Sequence, residues 1–223
     1  MSVVEHPFDL VLFDLDGTLI DSVPQLALAV NQMLRECGFD EVPEAVVRTW
    51  VGNGADTLVQ RALAHAGAGE ALFATARPAF GHYYQACLLE GLEMYEGVAA
   101  TLARLATAGY RLAVVTNKPT AFVQPILEAL GIAGYFSLWL GGNCLPEKKP
   151  HPAPLLHACH ELQLSPARTL MVGDSENDVL AAKAAGMRVV GLTYGYNYGR
   201  PIADSQPDWV FEHFSGLDTI LPG

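Results

Sequence analysis

The apolar run from Leu10 to Phe13 stops abruptly at Asp14, and a second carboxylate follows at Asp16. No other stretch limits so sharply what the chain can fold into. A short apolar run bounded by turn residues is the pattern of a buried parallel strand. Gly17 then lets the chain turn, because it has no Cβ to restrict φ. Asp14 and Asp16 therefore fall at the carboxyl end of a central strand, where open α/β sheets bind ligands. Two carboxylates this close repel each other. A hard divalent cation such as Mg²⁺, which prefers oxygen ligands, is their most economical partner. An isolated Asp-x-Asp can equally serve in a turn or a helix cap, so the meaning of the pair depends on what lies downstream.

The length of 223 residues accommodates one large domain, or a domain with a smaller insert. Hydrophobic residues at 51% and charged residues at 17% supply a core and argue against disorder. A formal net charge of −11 disfavours nucleic acid or an anionic membrane as a partner. It also means that an anionic substrate would need a metal and a lysine to invert the local field. Cys37, Cys87, Cys144 and Cys159 form no CxxC pair, and no secretory signal precedes them. Reduced thiols and a cytoplasmic location are expected. Glu5, His6 and Asp9 stand where a targeting segment would be basic. No window approaches the span of about 18 apolar residues that crosses a membrane.

Asp21 or Ser22 can cap a helix with Pro24 in its first turn and Leu26, Val30, Met33 and Leu34 on one face. Three more helical stretches follow, over residues 44–51, 55–66 and 70–89, with no strand expected across 21–94. From Val98 onward helices and strands alternate, with strands over 111–116, 136–140, 169–172, 188–192 and 208–211. That alternation argues for βαβ units, a parallel sheet and right-handed crossovers. The expected architecture is an α/β core interrupted by a small helical bundle.

Polar groups recur at the ends of the successive strands. After Asp14 and Asp16 come Thr116-Asn117-Lys118, then Lys148-Lys149-Pro150-His151-Pro152, then Gly173-Asp174-Ser175-Glu176-Asn177-Asp178. In a parallel sheet all of these lie along one edge. Turn duty explains one such group but not four. His157, Cys159 and His160 are read as ordinary helix packing, because one helix does not aim adjacent residues at one zinc. Tyr194, Tyr196 and Tyr198 are read as an aromatic packing cluster.

The set Asp14-x-Asp16-Gly17-Thr18, Thr116-Asn117, Lys149-Pro150-x-Pro152 and Gly173-Asp174-x-x-x-Asp178 resembles the four motifs of the haloacid dehalogenase superfamily of phosphohydrolases. The likeness spans essentially the whole chain. It implies a Rossmann-like core over residues 1–20 and 95–223, with a type C1 helical cap inserted at 21–94. Residues 50–56, 141–143 and 192–199 further resemble a bacterial subgroup of small-molecule phosphatases within it.

The resemblance implies Asp14 as the nucleophile forming an aspartyl-phosphate, which splits one hard step into two easier ones. It implies Asp16 as the acid that protonates the leaving alcohol and later deprotonates water. Thr116 and Asn117 would hydrogen-bond the phosphoryl oxygens, though either residue could also cap the helix after Pro119. Lys149, preferred over Lys148 because the Lys-Pro-x-Pro frame begins there, would pair with Asp14 and phosphate. Mg²⁺ would be held by Asp14, the Asp16 carbonyl and Asp174. Asp178 would bind a metal water or orient Lys149, or simply favour a helix N-terminus. Asn53, with the backbone amides of Gly52 and Gly54, is the cap's candidate for the part of the substrate beyond its phosphate. The same residues also suit a plain helix–helix turn. The expected partner is a small phosphomonoester, with the protein a monomer or homodimer. Another phosphatase or a phosphomutase on the same scaffold is the nearest rival, and a binding protein without catalysis the remoter one.

Overall fold

The computed structural model describes residues 7–222. Glu5 and His6, which support the reading on targeting, lie outside the described residues. Strand β1 (Leu10–Phe13) is fully buried and leads to a two-residue strand β2 (Ile20–Asp21). Helices α1 (Val23–Glu36), α2 (Glu44–Arg48), α3 (Ala55–His65) and α4 (Phe73–Cys87) follow. A second short strand, β3 (Glu93–Met94), then returns the chain to the core. The alternation that follows is α5 (Val98–Ala108), β4 (Arg111–Val115), α6 (Thr120–Ala129), β5 (Leu138–Leu140) and α7 (Ala153–Leu162). It closes with β6 (Thr169–Gly173), α8 (Glu176–Ala184), β7 (Arg188–Leu192) and β8 (Trp209–Phe211).

The sheet has the order β5-β4-β1-β6-β7-β8, and every pairing in it is parallel. β1 sits between β4 and β6, with Phe13 level with Val114 on one side and Val172 on the other. Its side chains alternate between two cores, as period-two geometry requires. Val11 and Phe13 join Leu112, Val114, Leu170 and Val172 under α5 and α6. Leu10 and Leu12 join Ala113, Val115, Met171 and Val189 under α7 and α8. Both faces are covered, which is why the central strands are apolar throughout rather than alternating.

The insert between β1 and β4 is helical, with α1 and α4 as its main packing pair. The expectation of no strand within 21–94 is corrected at its margins. β2 and β3 pair antiparallel, Ile20 with Met94 and Asp21 with Glu93, and Tyr95 N–H donates to Leu19 O at 3.1 Å. Strands of two residues show no alternation to detect; they form because the outgoing and returning chains run side by side. The long helix expected from 70 is likewise divided, a 3₁₀ turn (Glu70–Leu72) preceding α4. At the start of α1, Asp21 Oδ1 accepts the Val23 N–H at 3.2 Å, whereas Ser22 turns its hydroxyl elsewhere. Among the described residues no helix is long and apolar enough to cross a membrane.

Phe13 is the last residue before the polar edge and is fully buried, with its ring 6.3 Å from Phe136 and 5.7 Å from Phe214. Phe13→Ala should lower stability by about 3–5 kcal/mol. Urea unfolding should show a reduced midpoint with an unchanged slope.

Candidate active site

Four loops at the carboxyl ends of β1, β4, β5 and β6 meet at one point. Asp14 continues β1, its N–H donating to Val172 O at 3.0 Å, and its Oδ1 accepts the Leu15 N–H at 2.8 Å. Gly17 makes the turn that follows at φ +87°, and a Cβ there would fall 2.4 Å from Asp174 Oδ2. Only glycine combines that backbone with that proximity.

Lys149 is the hub of the cluster. Its Nζ donates to Val115 O at 2.6 Å and to Asp178 Oδ1 at 2.7 Å, and lies 3.0 Å from Asp14 Oδ1. Those three acceptors match the three protons of an ammonium. Lys148, its neighbour, is half-exposed. Asp178 Oδ2 accepts both the N–H and the hydroxyl of Ser175 at the start of α8. Two of the roles weighed for Asp178, orienting Lys149 and supporting a helix start, are thus both present in the geometry. Asp174 accepts the Thr18 hydroxyl and the Tyr196 N–H, each at 2.8 Å. Among the described residues no cation forms an ion pair with it.

Asp14, Asp174 and Asp178 are buried with ligand oxygens all within 4.8 Å of one another. Burial raises the Asp14 carboxyl to about 6, with Lys149 pulling the other way and Asp178 and Asp16 adding to the rise. Burial, then Asp178 and Asp14, lifts Asp174 well above the usual carboxylate range. Burial opposes the charge on Lys149, but Asp14 and Asp178 outweigh it and raise its pKa. Three buried carboxylates around one lysine leave negative charge in excess, and the donor set is all oxygen. That combination fits a hard divalent cation.

Asp16 lies on the other side of the turn. Its Oδ1 accepts the Ser22 hydroxyl at 2.6 Å, and Lys118 Nζ lies 2.8 and 3.1 Å from its two oxygens. Sequence reasoning noted Lys118 at the strand end without assigning it a role. The available signal was a lysine directly after the Thr-Asn pair.

Thr116 Oγ1 accepts the Lys118 N–H at 3.2 Å, which leaves its own proton for another acceptor. The side chain of Asn117 is committed: Nδ2 donates to Gly52 O at 2.9 Å and Lys149 O at 2.8 Å, and Oδ1 accepts the Lys149 N–H at 3.0 Å. The amide of Asn117 thus clamps the insert to the Lys149 loop. Asn143 Oδ1 accepts both N–H and hydroxyl of Thr120, so the 141–143 segment fixes the start of α6.

The insert closes over this edge, and its residues Gly52, Gly54 and Leu58 line a cavity shared with Asp14, Asp16 and Thr116. The side chain of Asn53 is not brought to that wall. Its Oδ1 accepts from Arg61 at 2.8 Å, a residue the sequence did not single out, and its Nδ2 lies 3.5 Å from Asn177. The tyrosines anchor as well as pack: Tyr194 OH donates to Thr18 O and Tyr196 OH to Asp21, while Asn177 Nδ2 donates to Tyr198 OH. Cys159 faces the core beside Thr169, away from His157, His160 and Glu161, which gather near the surface.

The family model for haloacid dehalogenase-like hydrolases matches residues 11–192. The chain is 53% identical over 220 residues to a phosphoglycolate phosphatase of Pasteurella multocida, covering 96% of this chain and 98% of that one. A phosphoglycolate phosphatase of Haemophilus influenzae is 51% identical with the same coverage. The crystal structure of a predicted phosphoglycolate phosphatase from Haemophilus somnus superposes with a TM-score of 0.93 at 50% identity, covering 96% of this chain and 98% of that chain.

Protons and a cation compete for the same oxygens here. Because Asp14 moves from its ordinary 3.8 up to about 6, the metal-free fold holds its proton more tightly than the unfolded chain does. Metal-free stability should therefore fall as pH rises from about 4 through about 6. A divalent cation at a hundredfold excess over Kd should raise Tm by roughly 5–10 °C at pH 7.5. The increment should be much smaller at pH 5, as read by calorimetry.

Proposed function

The chain belongs to the haloacid dehalogenase-like hydrolases, and on that premise we propose that it is a Mg²⁺-dependent phosphatase hydrolysing 2-phosphoglycolate to glycolate and phosphate. The observation that carries this reading is about half identity to phosphoglycolate phosphatases over 96% of the chain, insert included. The insert supplies part of the cavity wall, so likeness extending through it bears on the substrate as well as on the chemistry.

Asp14 Oδ1 takes the contacts from Leu15 and Lys149, leaving Oδ2 to attack phosphorus. The P–O ester bond breaks as Asp16 delivers a proton to the departing oxygen, and an aspartyl-phosphate remains on Asp14. Asp16 then takes a proton from water as that water attacks phosphorus, which releases phosphate, returns Asp14 as a carboxylate and leaves Asp16 protonated for the next turnover. Ser22 and Lys118 hold Asp16 in place for both transfers. Lys149 positions Asp14 and adds positive charge without releasing any of its three contacts. The Thr116 hydroxyl and the Asn117 backbone N–H are the donors for the phosphoryl oxygens. Asp14, Asp174 and the Asp16 carbonyl would hold Mg²⁺, with Asp178 behind them. Bound there, the ion supplies charge neutralisation between carboxylate and phosphate.

Residues 21–94 act as a cap in this reading and exclude water from the aspartyl-phosphate. Gly52 O accepts from Asn117 and also from Asn177 at 3.1 Å, which ties the cap to the core edge that carries the chemistry.

Asp14→Asn should lower kcat by on the order of 10³-fold or more, the scale seen when a covalent nucleophile is lost. Asp16→Asn should lose about 10²–10⁴-fold. Phosphate release from 2-phosphoglycolate, with and without chelator, measures both. A wild-type preference for hexose phosphates in a panel of phosphorylated metabolites would overturn the substrate, and full activity after exhaustive chelation would overturn the metal.

A further inference from the structure

The cavity beneath the insert contains one cationic side chain among the described residues that line it, Lys118. Leu26, Leu58, Phe80 and Phe122 make the wall around it apolar. Lys118 is only 4% exposed, is paired with Asp16, and lies 4.8 Å from the centre of the Tyr84 ring. Asp16, with both oxygens within 3.1 Å of the Lys118 Nζ, is the counter-charge that holds this buried ammonium. Tyr84, from α4, also lines the cavity. Its hydroxyl is buried and meets no acceptor among the described residues; the one polar group beside it is the Lys118 ammonium, itself a donor. Burial lifts that phenol to about 12, so it stays a donor. A buried hydroxyl left without an acceptor is unfavourable, and buried polar groups in native proteins rarely go unpaired. An acceptor supplied by a ligand resolves the anomaly.

We propose that Lys118 and the Tyr84 hydroxyl form the subsite that binds the substrate's carboxylate. The inference rests on 2-phosphoglycolate being the substrate. In that molecule the carboxylate carbon is two bonds from the ester oxygen. Asp16 must meet the ester oxygen to protonate it, and Lys118 is in direct contact with Asp16. A carboxylate attached so close to the leaving oxygen therefore arrives beside Lys118. Its two oxygens offer one acceptor to the ammonium and one to the phenol. Substrates lacking the charge leave a buried ammonium and a buried hydroxyl facing an apolar group, and a site built for a polar group rejects such analogues strongly. The subsite also accounts for the Asn53 geometry: its amide oxygen is engaged by Arg61, and recognition falls to residues deeper in the cavity.

The test compares 2-phosphoglycolate with ethyl phosphate, which has a methyl group where the carboxylate would be. The readout is the ratio of their kcat/KM values in wild type, Lys118→Met and Tyr84→Phe, each checked for folding by circular dichroism. Loss of the partner that holds Asp16 slows both substrates and cancels in the ratio, whereas loss of a carboxylate contact does not. The ratio should fall roughly tenfold to hundredfold in Lys118→Met, the range for removing a hydrogen bond to a charged group. In Tyr84→Phe, which removes only the hydroxyl, it should fall by about tenfold. An unchanged ratio in either folded variant overturns the subsite. If Lys118→Met does not fold, Tyr84→Phe alone decides. A wild type that does not prefer 2-phosphoglycolate over ethyl phosphate removes the substrate assignment itself, whereas a wild-type preference that survives both substitutions removes only this subsite.

Discussion

One ammonium group holds the reactive edge together. Lys149 Nζ touches the last carbonyl of β4, the carboxylate that follows β1, and a carboxylate in the first turn of α8. Each partner comes from a different segment, and the lysine itself stands in the loop after β5. Removing a charge from water is expensive, and its burial is tolerated only where every donor finds an acceptor. Here every donor does. The positions of Asp14 and Asp178 are consequently set by a requirement of the lysine as much as by the strands that carry them. Among the described residues Asp174 has no such counter-charge, and this asymmetry is what leaves room for a cation on its side of the cluster.

The same edge shows how a protein with net charge −11 can accept a substrate bearing two anionic groups. Most acidic residues lie on the surface, where water screens them; Asp14, Asp174 and Asp178 are buried, and the excess charge they leave is what a bound cation would offset. The cations that matter are buried: Lys149 behind Asp14 and Lys118 beside Asp16. A buried charge acts through a low dielectric and outweighs many exposed ones at short range. Net charge therefore describes the solubility of this molecule and says little about the sign of the field inside its cavity.

The sheet and the meeting of Asp14, Asp16, Thr116, Lys149 and Asp174 were legible in the sequence, because each of these residues directly follows a strand or its loop. Parallel strands turn that local fact into a shared edge without any knowledge of side-chain direction. What escaped depended on partners distant in the chain. Lys118 and Asp16 are separated by 102 positions, and Asn117 gives its amide to Gly52 of the insert and to Lys149. Asn53 looked suited to a ligand because of its glycine neighbours, but Arg61, on the following helix, lies close enough to take its oxygen. The β2–β3 ribbon escaped for another reason: with two residues per strand it has no periodicity, only proximity.

That ribbon has an architectural consequence. Ile20 lies opposite Met94 and Asp21 opposite Glu93, so the insert leaves and re-enters the core at neighbouring points. To the core, the whole helical segment is equivalent to a tight turn closing a hairpin, and the register of β1 against β4 does not depend on what that turn contains. Closure entropy grows only logarithmically with the length enclosed, so a longer, shorter or differently folded segment could be grafted at the same two rungs with little strain on the sheet. The sheet edge and the enclosure above it are thus mechanically separable at those two rungs.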